Sequence, residues 1–392
     1  MKSKIYFAVC ISALFFSCQK EAIIEEQIFD VLLEDEIEDT VDKEPTFSAD
    51  PVKNWVFQMQ HTSGLLESVE NTNFVSLYDN ALATILFINE NQKNKAEQVL
   101  DFYNSKITSE LEVNGGFYQT RNTNGEAGER IWMGDNAWLL IAINHYKTQY
   151  NSDKYANLAA HLEAWLRSLQ IENGALLGGI NSNGSNIPLV TEGIITAFNA
   201  VPGFDDFHKN ILSYIKNERW DTTNNVVLSW PENPDYAYAM DLHSLSSTIL
   251  DGFSTNVLTQ ADRFLTQQEF TLSGDVISGY CFDEDKDVVW LEGTAQMAVA
   301  FKAMGNIGRG NELIAEIEKT VIQSTIIENA KGIPYTTNHG TSYGATQLWD
   351  HTDIAPALSA TIWYLFAKED FNPMALGRKT NIPEDQQFWA HN

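Results

Sequence analysis

The stretch Trp132-Met133-Gly134-Asp135-Asn136-Ala137-Trp138 carries a pattern that recurs along the chain. An acidic residue stands at the start of a nearly all-apolar segment of helical length. Five further segments begin in the same way, at Asp79, Glu192, Asp241, Glu292 and Asp353, with successive separations of 56, 57, 49, 51 and 61 residues. A regular repeat with one acid in each unit is typical of stacked helical hairpins. The sequence therefore predicts six such hairpins.

The predicted helices are of two kinds. One kind carries a single apolar stripe at helical spacing, as in Tyr155, Leu158, Leu162, Leu166 and Leu169. The other kind is apolar on nearly every face and covers residues 80–88, 137–143, 194–201, 245–253, 295–304 and 354–366. Helices that are apolar all round must be surrounded by protein, so the one-faced helices lie outside them.

This alternation predicts an all-α fold, an (α/α)6 toroid of six outer–inner helical hairpins. An open solenoid is the alternative, but its end repeats need polar caps. The last inner segment, with Ile362, Trp363 and Phe366, has no polar face. We therefore expect a closed ring.

The N-terminus predicts export. Lys2 and Lys4 precede an apolar run over residues 5–16, which is too short to span a bilayer. Ser17-Cys18 follows and resembles the lipobox of bacterial lipoproteins, which implies a signal peptide over 1–18 and a lipid on Cys18. An ordinary secretory signal with an incidental cysteine is the alternative. Cys281 would then be the one unlipidated thiol of the mature chain, so no intramolecular disulfide is expected.

The distribution of charge divides the rest of the chain into an acidic segment and a domain. Residues 19–50 hold twelve acids against Lys20 and Lys43 and predict a flexible acidic tether. The toroid domain is predicted over 51–392. The formal net charge of −28 argues against nucleic-acid binding, which needs Lys and Arg to neutralise phosphates. We expect the protein to lie in the bacterial cell envelope, in the periplasm or at the outer-membrane surface, where the lipid on Cys18 anchors it to the membrane. The sequence does not indicate an oligomeric state.

The connections between helices differ in length at the two ends of the predicted hairpins. Outer helices reach the next inner helix through stretches near twenty residues, at 114–134, 173–190, 217–239, 271–291 and 330–352. Loops of that length in a compact domain are usually functional. Because all of them end where an inner helix begins, they mark one rim of the toroid as the functional face.

The six acids are expected to ring this rim. A plain structural explanation exists for each of them, since Asp and Glu favour helix starts, where they bond free amides. Several carboxyl groups around one opening would also raise one another's pKa values. Neighbouring carboxyl groups can then differ in pKa, so that one is protonated and another is ionised. Glycoside hydrolysis requires such a pair of a protonated acid and an ionised base.

The rim loops are also rich in aromatic residues, which suit the faces of sugars. We expect about half of them to pack the loops and the others to contact ligand. The candidate substrate-binding residues at the rim are Tyr78, Trp132, Trp290, Trp349, Asp241, His243 and Asp353.

Metal and cofactor motifs are weak. Asp283, Asp285 and Asp287 have the spacing of a calcium loop, but the sixth position lacks glycine and Thr294 stands at the twelfth. Asp350, His351 and Asp353 with His339 are interpreted as hydrogen-bonded rim residues. The sequence contains no Walker loop, dinucleotide glycine pattern or nucleophile elbow. We expect no metal and no cofactor, and Cys281 is interpreted as an inert packed thiol.

Three helix openings resemble those of bacterial six-hairpin glycosidase-like proteins. They are Tyr78-Asp79-Asn80-Ala81-Leu82-Ala83, Gly134-Asp135-Asn136-Ala137-Trp138 and Trp290-Leu291-Glu292-Gly293-Thr294-Ala295-Gln296. The resemblance covers roughly residues 51–373 and implies an (α/α)6 toroid with sugar chemistry in its mouth. Members of that group carry a His-Asn pair after the glutamate of the third repeat, whereas Gly193-Ile194 follows Glu192 here.

The leading functional hypothesis is a glycoside hydrolase acting on an oligo- or polysaccharide. Asp135 and Glu292 are the first choices for the two carboxyl roles, with Asp79 and Glu192 as alternates. A non-catalytic glycan-binding lipoprotein is the second hypothesis, because the His-Asn pair is missing.

A polysaccharide lyase is the third hypothesis. In it, Tyr118 or Tyr343 would act as the base, and Arg121 or Arg130 would neutralise a uronate.

Overall fold

The computed structural model describes residues 50–339, 342–343, 346–347 and 352–390. The predicted signal peptide, Cys18 and the tether up to residue 49 lie outside the described residues. No described helix is both long enough and apolar enough to traverse a bilayer.

The described part contains twelve α-helices of at least five residues that alternate between two layers. The outer helices are α1 (Pro51–Gln58), α3 (Lys93–Asn104), α5 (Ala156–Ser168), α7 (Asp206–Tyr214), α9 (Asn256–Gln260) and α11 (Ile307–Glu318). The inner helices are α2 (Leu77–Asn89), α4 (Met133–Tyr150), α6 (Thr191–Ala200), α8 (Met240–Ile249), α10 (Leu291–Ala303) and α12 (Leu358–Lys368).

The inner helices form a closed ring. Each contacts the next in the order α2, α4, α6, α8, α10 and α12, and α12 contacts α2 again. Every inner helix except α12 also packs on the outer helix that follows it in the chain, while α12 packs on α1. The predicted all-α toroid is therefore confirmed, and the open solenoid is excluded.

Burial follows the two sequence patterns. In α2 every residue from Leu77 to Ile88 is buried, as expected for a helix with protein on all sides. In α3 burial is confined to the stripe of Ala96, Val99, Leu100 and Tyr103. The hydrophobic effect thus places the first kind of helix inside the ring and the second kind around it.

The rim loops contain short antiparallel strand pairs, which the sequence pattern did not predict. Within the described residues there are six two-stranded sheets. β1 (Phe74–Ser76) pairs with β2 (Thr120–Asn122), and β3 (Ile131–Trp132) pairs with β4 (Gly179–Ile180). The others are β5 (Trp220–Asp221) with β6 (Val226–Val227), β7 (Leu265–Glu269) with β8 (Val276–Tyr280), β9 (Ile322–Gln323) with β10 (Lys331–Gly332), and β11 (Ser342–Tyr343) with β12 (Thr346–Gln347).

The start of α12 differs from the prediction. The sequence placed an inner helix from Ile354, whereas the helix begins at Leu358. Ala357 is extended because it bridges Val69, and the carbonyl of Pro356 accepts a hydrogen bond from the Glu70 amide. These backbone pairings hold the preceding residues out of the helix.

The opposite end of the toroid is covered by the segment that follows α12. Lys379 Nζ donates to the carbonyls of Asn199 and Val201 at the end of α6, at 3.1 and 2.7 Å. Arg378 Nε donates to the carbonyl of Thr248 at the end of α8, at 2.7 Å. The segment therefore satisfies carbonyls that the inner helices leave unpaired at their C-terminal ends.

Glu70 joins the first repeat to the last. Its buried carboxylate accepts hydrogen bonds from Trp55 Nε1 at 2.8 Å, from Ser324 Oγ at 2.6 Å, and from the amide and hydroxyl of Thr325 at 2.6 Å each. Burial by itself would raise the pKa of Glu70, but these hydrogen bonds outweigh it and lower the pKa below its ordinary value.

We expect the Glu70→Gln substitution to destabilise the fold by about 2–3 kcal/mol at neutral pH, since a charged acceptor of several bonds is lost. The folded-state pKa of Glu70 is depressed, so this stabilisation is present above the ordinary glutamate pKa and is lost as the pH falls through the folded-state value. The measurement is denaturant unfolding from pH 3 to pH 7, and the gap between wild type and variant should narrow below about pH 4. Glu112→Gln, which removes a half-exposed carboxylate, is the control. A small or pH-independent difference in unfolding free energy between the wild type and Glu70→Gln would contradict this role.

Candidate functional site

A narrow cavity of about 50 Å³ opens where the inner helices begin. That volume has room for a few water molecules. Its lining comes from inner-helix starts and from the loops before them. The lining residues are Ser68, Val69, Phe74, Ser76, Tyr78, Asp79, Trp138, Glu192, Asp241, Leu245, Phe282, Trp290, Glu292, Gln296, Tyr335, Ala357 and Ser359.

Four of the six predicted acids line this cavity. They are Asp79 on α2, Glu192 on α6, Asp241 on α8 and Glu292 on α10, each within the first turn of its helix. The repeat therefore brings carboxyl groups from distant parts of the chain to one opening. Asp135 and Asp353 do not line the cavity.

Asp135, a first choice for catalysis, is directed elsewhere. It lies in the first turn of α4 and is 1% exposed. Burial lowers the pKa of Arg130 to about 10, and the negative charge of Asp135 opposes that shift. Asp135 therefore interacts electrostatically with the buried guanidinium of Arg130.

Asp353 departs from the predicted pattern because α12 begins later than expected. It lies before the helix, in the loop, and is buried. The residue at the cavity-facing start of α12 is Ser359. The sixth repeat thus contributes a hydroxyl group to the cavity where the sequence predicted a carboxyl group.

Glu292 is held by a hydrogen-bond network. Tyr78 Oη donates to Glu292 Oε1 at 2.6 Å, and Gln296 Nε2, one turn along α10, donates to the same oxygen at 3.1 Å. Trp363 Nε1 donates in turn to Tyr78 Oη at 2.8 Å. Burial and the nearby charge of Glu292 raise the pKa of Tyr78 well above its ordinary value, so its hydroxyl stays a donor. Together the two donors orient the Glu292 carboxylate.

Glu192 has a different setting. Thr196 Oγ1 approaches Glu192 Oε1 at 3.3 Å, which is a long contact, and donates to the carbonyl of Glu192 at 2.9 Å. The indole of Trp132 and the side chain of Met133 pack beside Gly193, the next residue of α6. Glu192 Oε2 lies beside the indole of Trp132, since a Cβ at Gly134 would lie 3.2 Å from Glu192 Oε2 and 2.6 Å from Trp132 Nε1.

Of the predicted aromatic contacts, Tyr78 and Trp290 line the cavity, and Tyr335 from a rim loop lines it as well. Trp290 packs edge-on against Phe282, with ring centroids 5.0 Å apart, and 6.1 Å from Tyr335. Trp132 was expected to form a subsite floor, but it is fully buried against Ile187, Val190 and Trp230.

Trp349, Asp350 and His351 lie outside the described residues. Other rim aromatics, such as Phe117 and Tyr280, are buried in the core, as expected for about half of them.

His243 does not face the cavity. Its Nδ1 bonds the carbonyl of Ala239 at 3.1 Å, and its ring packs edge-on against Phe264. Burial lowers the pKa of His243 to about 4, so the ring is neutral at physiological pH. The expected substrate contact is therefore replaced by a packing role.

The arginines of the lyase hypothesis also lie away from the cavity. Arg121 is buried and bonds Glu110 Oε1 at 2.6 Å. Arg130 is buried, bonds Asn181 Oδ1 at 3.1 Å and also bonds Gln119. Neither guanidinium is placed to neutralise a uronate in the cavity.

Cys281 lies in a separate acidic cluster. Its Sγ is 3.7 Å from Asp283 Oδ1, 3.6 Å from Asp285 Oδ1 and 3.7 Å from Asp287 Oδ1. The ligand atoms of Cys281, Asp283 and Asp285 lie within 4.8 Å of one another, so the spacing noted in the sequence does bring these side chains together. Burial, and after it the charge of Asp283, raise the pKa of Cys281 above its ordinary value, which agrees with an unreactive thiol.

Several lining residues carried no strong sequence signal. Gln296 follows Glu292 by one helical turn, a spacing at which side chains meet, and this signal could have found it. Phe282, Ser68 and Ser359 reach the cavity through loop and strand pairings that no local pattern encodes.

A larger groove of about 560 Å³ lies at the other end of the toroid, between α4, α5 and residues 376–381. It lacks the convergent carboxyl groups and the indole of the smaller cavity. Glu163 is its one acidic lining residue. On chemical grounds, the cavity at the helix starts is the candidate site.

Comparison with known proteins finds matches among solved structures. No family model and no curated protein matches the chain. An alpha-amylase from Clostridium perfringens superposes with a TM-score of 0.59 at 12% identity, covering 82% of this chain and 96% of that one. A protein titled glycosidase superposes with a TM-score of 0.60 at 9% identity, covering 82% and 95%. A D-mannose isomerase gives a TM-score of 0.53 at 12% identity, covering 83% and 99%.

The chain shares its (α/α)6 toroid fold with these proteins. At these identities the likeness extends to the fold and leaves the reaction to be argued from the site.

We expect Gly293→Ala to disturb the wall of the cavity. A Cβ at this position would lie 2.1 Å from Trp290 Cε3 and 2.2 Å from Met240 Cε, so the indole must move. Destabilisation of about 1–3 kcal/mol is expected, together with a change in the near-ultraviolet circular dichroism of the tryptophans. Gly308→Ala is the matched control, because a Cβ there meets no atom within 4 Å. An unchanged spectrum and stability for Gly293→Ala would contradict this packing.

Proposed function

We propose that this protein is a glycoside hydrolase that cleaves the glycosidic bond of a substrate bound at the mouth of the cavity at the inner-helix starts. The observation that carries the proposal is the convergence of Asp79, Glu192, Asp241 and Glu292 on one cavity with an aromatic wall. Paired carboxyl groups and an aromatic surface are what glycosidic bond cleavage and sugar binding need. The fold adds support, since one neighbour titled glycosidase was solved in complex with glucose.

Within this proposal Glu292 acts as the ionised partner. Its two donors, Tyr78 and Gln296, solvate the carboxylate form and fix its direction. It would either activate a water molecule or attack the anomeric carbon directly. Glu192 is the proposed general acid, because it lines the same cavity from α6, two inner helices away from Glu292 on α10. It would give its proton to the glycosidic oxygen as the bond from that oxygen to the anomeric carbon breaks.

The spacing of the two carboxyl groups decides the stereochemistry. A separation near 5 Å in a sugar complex would mean retention, and about 6.5–9.5 Å would mean inversion. Because Glu192 and Glu292 stand on α6 and α10, on either side of α8, they approach the cavity from different directions. A sugar between them could be reached from both faces.

Glu292→Gln and Glu192→Gln should each lower the hydrolysis of a responsive aryl glycoside by at least about 10²-fold, because one catalytic carboxyl group is lost. Asp135→Asn is the matched control, since this acid belongs to the repeat but lies outside the cavity. It should lower stability and keep turnover within a few-fold of wild type. A panel of nitrophenyl glycosides with product analysis provides the measurement. Full turnover in both glutamine variants would contradict the assignment, and binding without products would favour the glycan-binding alternative.

Tyr78→Phe should lower kcat by roughly 10–100-fold with little change in KM, since the hydroxyl that orients Glu292 is removed. Tyr364→Phe is the matched control, because Tyr364 Oη also donates to a carboxylate, Glu318 Oε1 at 3.0 Å, but outside the cavity. The measurement is steady-state kinetics on the same glycoside. Equal kcat values for the two variants would argue against a positioning role for Tyr78.

Sugar isomerisation or epimerisation is the second candidate. Two structural neighbours, a sugar epimerase and a D-mannose isomerase, motivate this candidate. In that reaction a carboxylate would take a proton from one carbon of the sugar, and a protonated carboxyl group would return a proton to the neighbouring carbon in isomerisation or to the opposite face of the same carbon in epimerisation. Conversion of a free monosaccharide without bond cleavage would favour this candidate over hydrolysis.

A further inference from the structure

A chain of hydrogen bonds from a buried indole ends on Glu292. Trp363 stands on α12, Tyr78 on α2 and Glu292 on α10. Trp363 Nε1 lies 2.8 Å from Tyr78 Oη, which lies 2.6 Å from Glu292 Oε1. Tyr78 and Glu292 line the cavity, whereas Trp363 does not. The first of these bonds crosses the contact between α12 and α2 that closes the ring.

The chemistry of the three groups constrains the direction of the protons. An indole nitrogen can only donate, so Tyr78 Oη accepts from Trp363. Because the indole occupies one acceptor position of the phenol oxygen, the proton of that oxygen is favoured to point toward Glu292 Oε1. A protonated Glu292 could donate to Tyr78 only by competing with the indole for the same oxygen. The indole therefore favours the ionised form of Glu292, in which the carboxyl group accepts.

Packing holds Trp363 in position for this bond. The residue is 1% exposed, and its ring packs edge-on against Trp138 and Phe366, with centroids 5.9 and 5.7 Å apart. Trp138 also packs edge-on against the ring of Tyr78, with centroids 5.3 Å apart. Since Trp138 contacts both partners of the bond, the three rings limit one another's rotation and keep the indole N–H directed at the tyrosine oxygen.

Ionisable groups from four other segments line the cavity together with Glu292. They are Asp79 on α2, Glu192 on α6, Asp241 on α8 and Tyr335 from a rim loop. The described lining from α4 and α12 consists of Trp138 and Ser359, which do not titrate near neutral pH. All of these groups influence the protonation of Glu292, but removing the indole N–H leaves each of them in place. A change that follows its removal therefore reports on the hydrogen bond.

We propose that Trp363 is a positioning residue for Glu292, which acts through Tyr78 and keeps the Glu292 carboxyl group in its ionised, hydrogen-bond-accepting form. This inference rests on the proposed function, in which Glu292 is the ionised member of the catalytic pair. The N–H of Trp363 reaches Glu292 only through the tyrosine hydroxyl. The effect of removing that N–H should therefore disappear when the hydroxyl is absent.

The test is to replace Trp363 in the full chain by benzothienylalanine, in which a sulfur atom takes the place of the indole N–H with little change in shape. Infrared difference spectra over a pH titration follow the C=O stretch of the protonated Glu292 carboxyl group, assigned by its loss in Glu292→Gln. We expect the midpoint of this titration to rise by about 0.5–1 pH unit, which corresponds to one hydrogen bond. In a Tyr78→Phe background the same replacement should leave the midpoint unchanged.

The same replacement at Trp389 is the matched control. Trp389 is also 1% exposed, and its Nε1 donates at 2.8 Å to the carbonyl of Asp251, outside the cavity lining. It should leave the Glu292 midpoint unchanged. With a responsive aryl glycoside, the acidic limb of the kcat profile should move to higher pH for the Trp363 replacement and stay in place for the control. KM should change little in both.

An unchanged or lower midpoint after the replacement of Trp363 would overturn the proposal. A rise of equal size in the Tyr78→Phe background, or after the replacement of Trp389, would overturn it as well. The infrared titration needs no substrate. A raised midpoint in a protein that cleaves no glycoside would therefore leave the action of Trp363 on Glu292 standing and would refute only the hydrolase assignment.

Discussion

The constraint on which the structure depends is that six inner helices, apolar on nearly every face, must all be surrounded by protein. A ring satisfies this requirement because each inner helix has two inner neighbours and an outer helix behind it. Closure of the ring then fixes the site, since parallel inner helices bring their first turns to one end. Four carboxyl groups from first turns meet there as a consequence of helix packing.

The ring is completed by polar contacts at both ends of the chain. Glu70 links the first outer helix to the loop after the last one. At the opposite end, Lys379 and Arg378 satisfy the carbonyls at the ends of inner helices. The apolar faces supply most of the driving force, while these buried polar contacts select one closed arrangement.

Much of this architecture could be predicted from the sequence because it follows from periodicity. The two helix types and the repeat of acids were sufficient for the toroid and for Asp79, Glu192, Asp241 and Glu292 at the cavity. Periodicity could not predict the direction in which each side chain of a first turn points. Asp135 and His243 occupy helix starts like the others, yet neither lines the cavity: the charge of Asp135 acts on buried Arg130, and His243 packs against buried Phe264.

Pairings between distant loops also could not be predicted from the sequence. Ser359 replaces Asp353 at the cavity because a bridge between Val69 and Ala357 delays the start of α12, and that bridge joins residues far apart in the chain. Likewise, the burial of Trp132 follows from packing against Ile187 and Val190, two residues of a distant loop. Such contacts depend on the completed fold, and no local pattern encodes them.

The most direct test of the account is a crystal structure of the Glu292→Gln variant with a bound substrate. The account predicts a sugar ring at the mouth of the cavity at the inner-helix starts, its face toward Trp290, and the glycosidic oxygen within hydrogen-bond distance of Glu192. A sugar bound instead in the larger groove near Lys379, with the acidic cavity unoccupied, would contradict it.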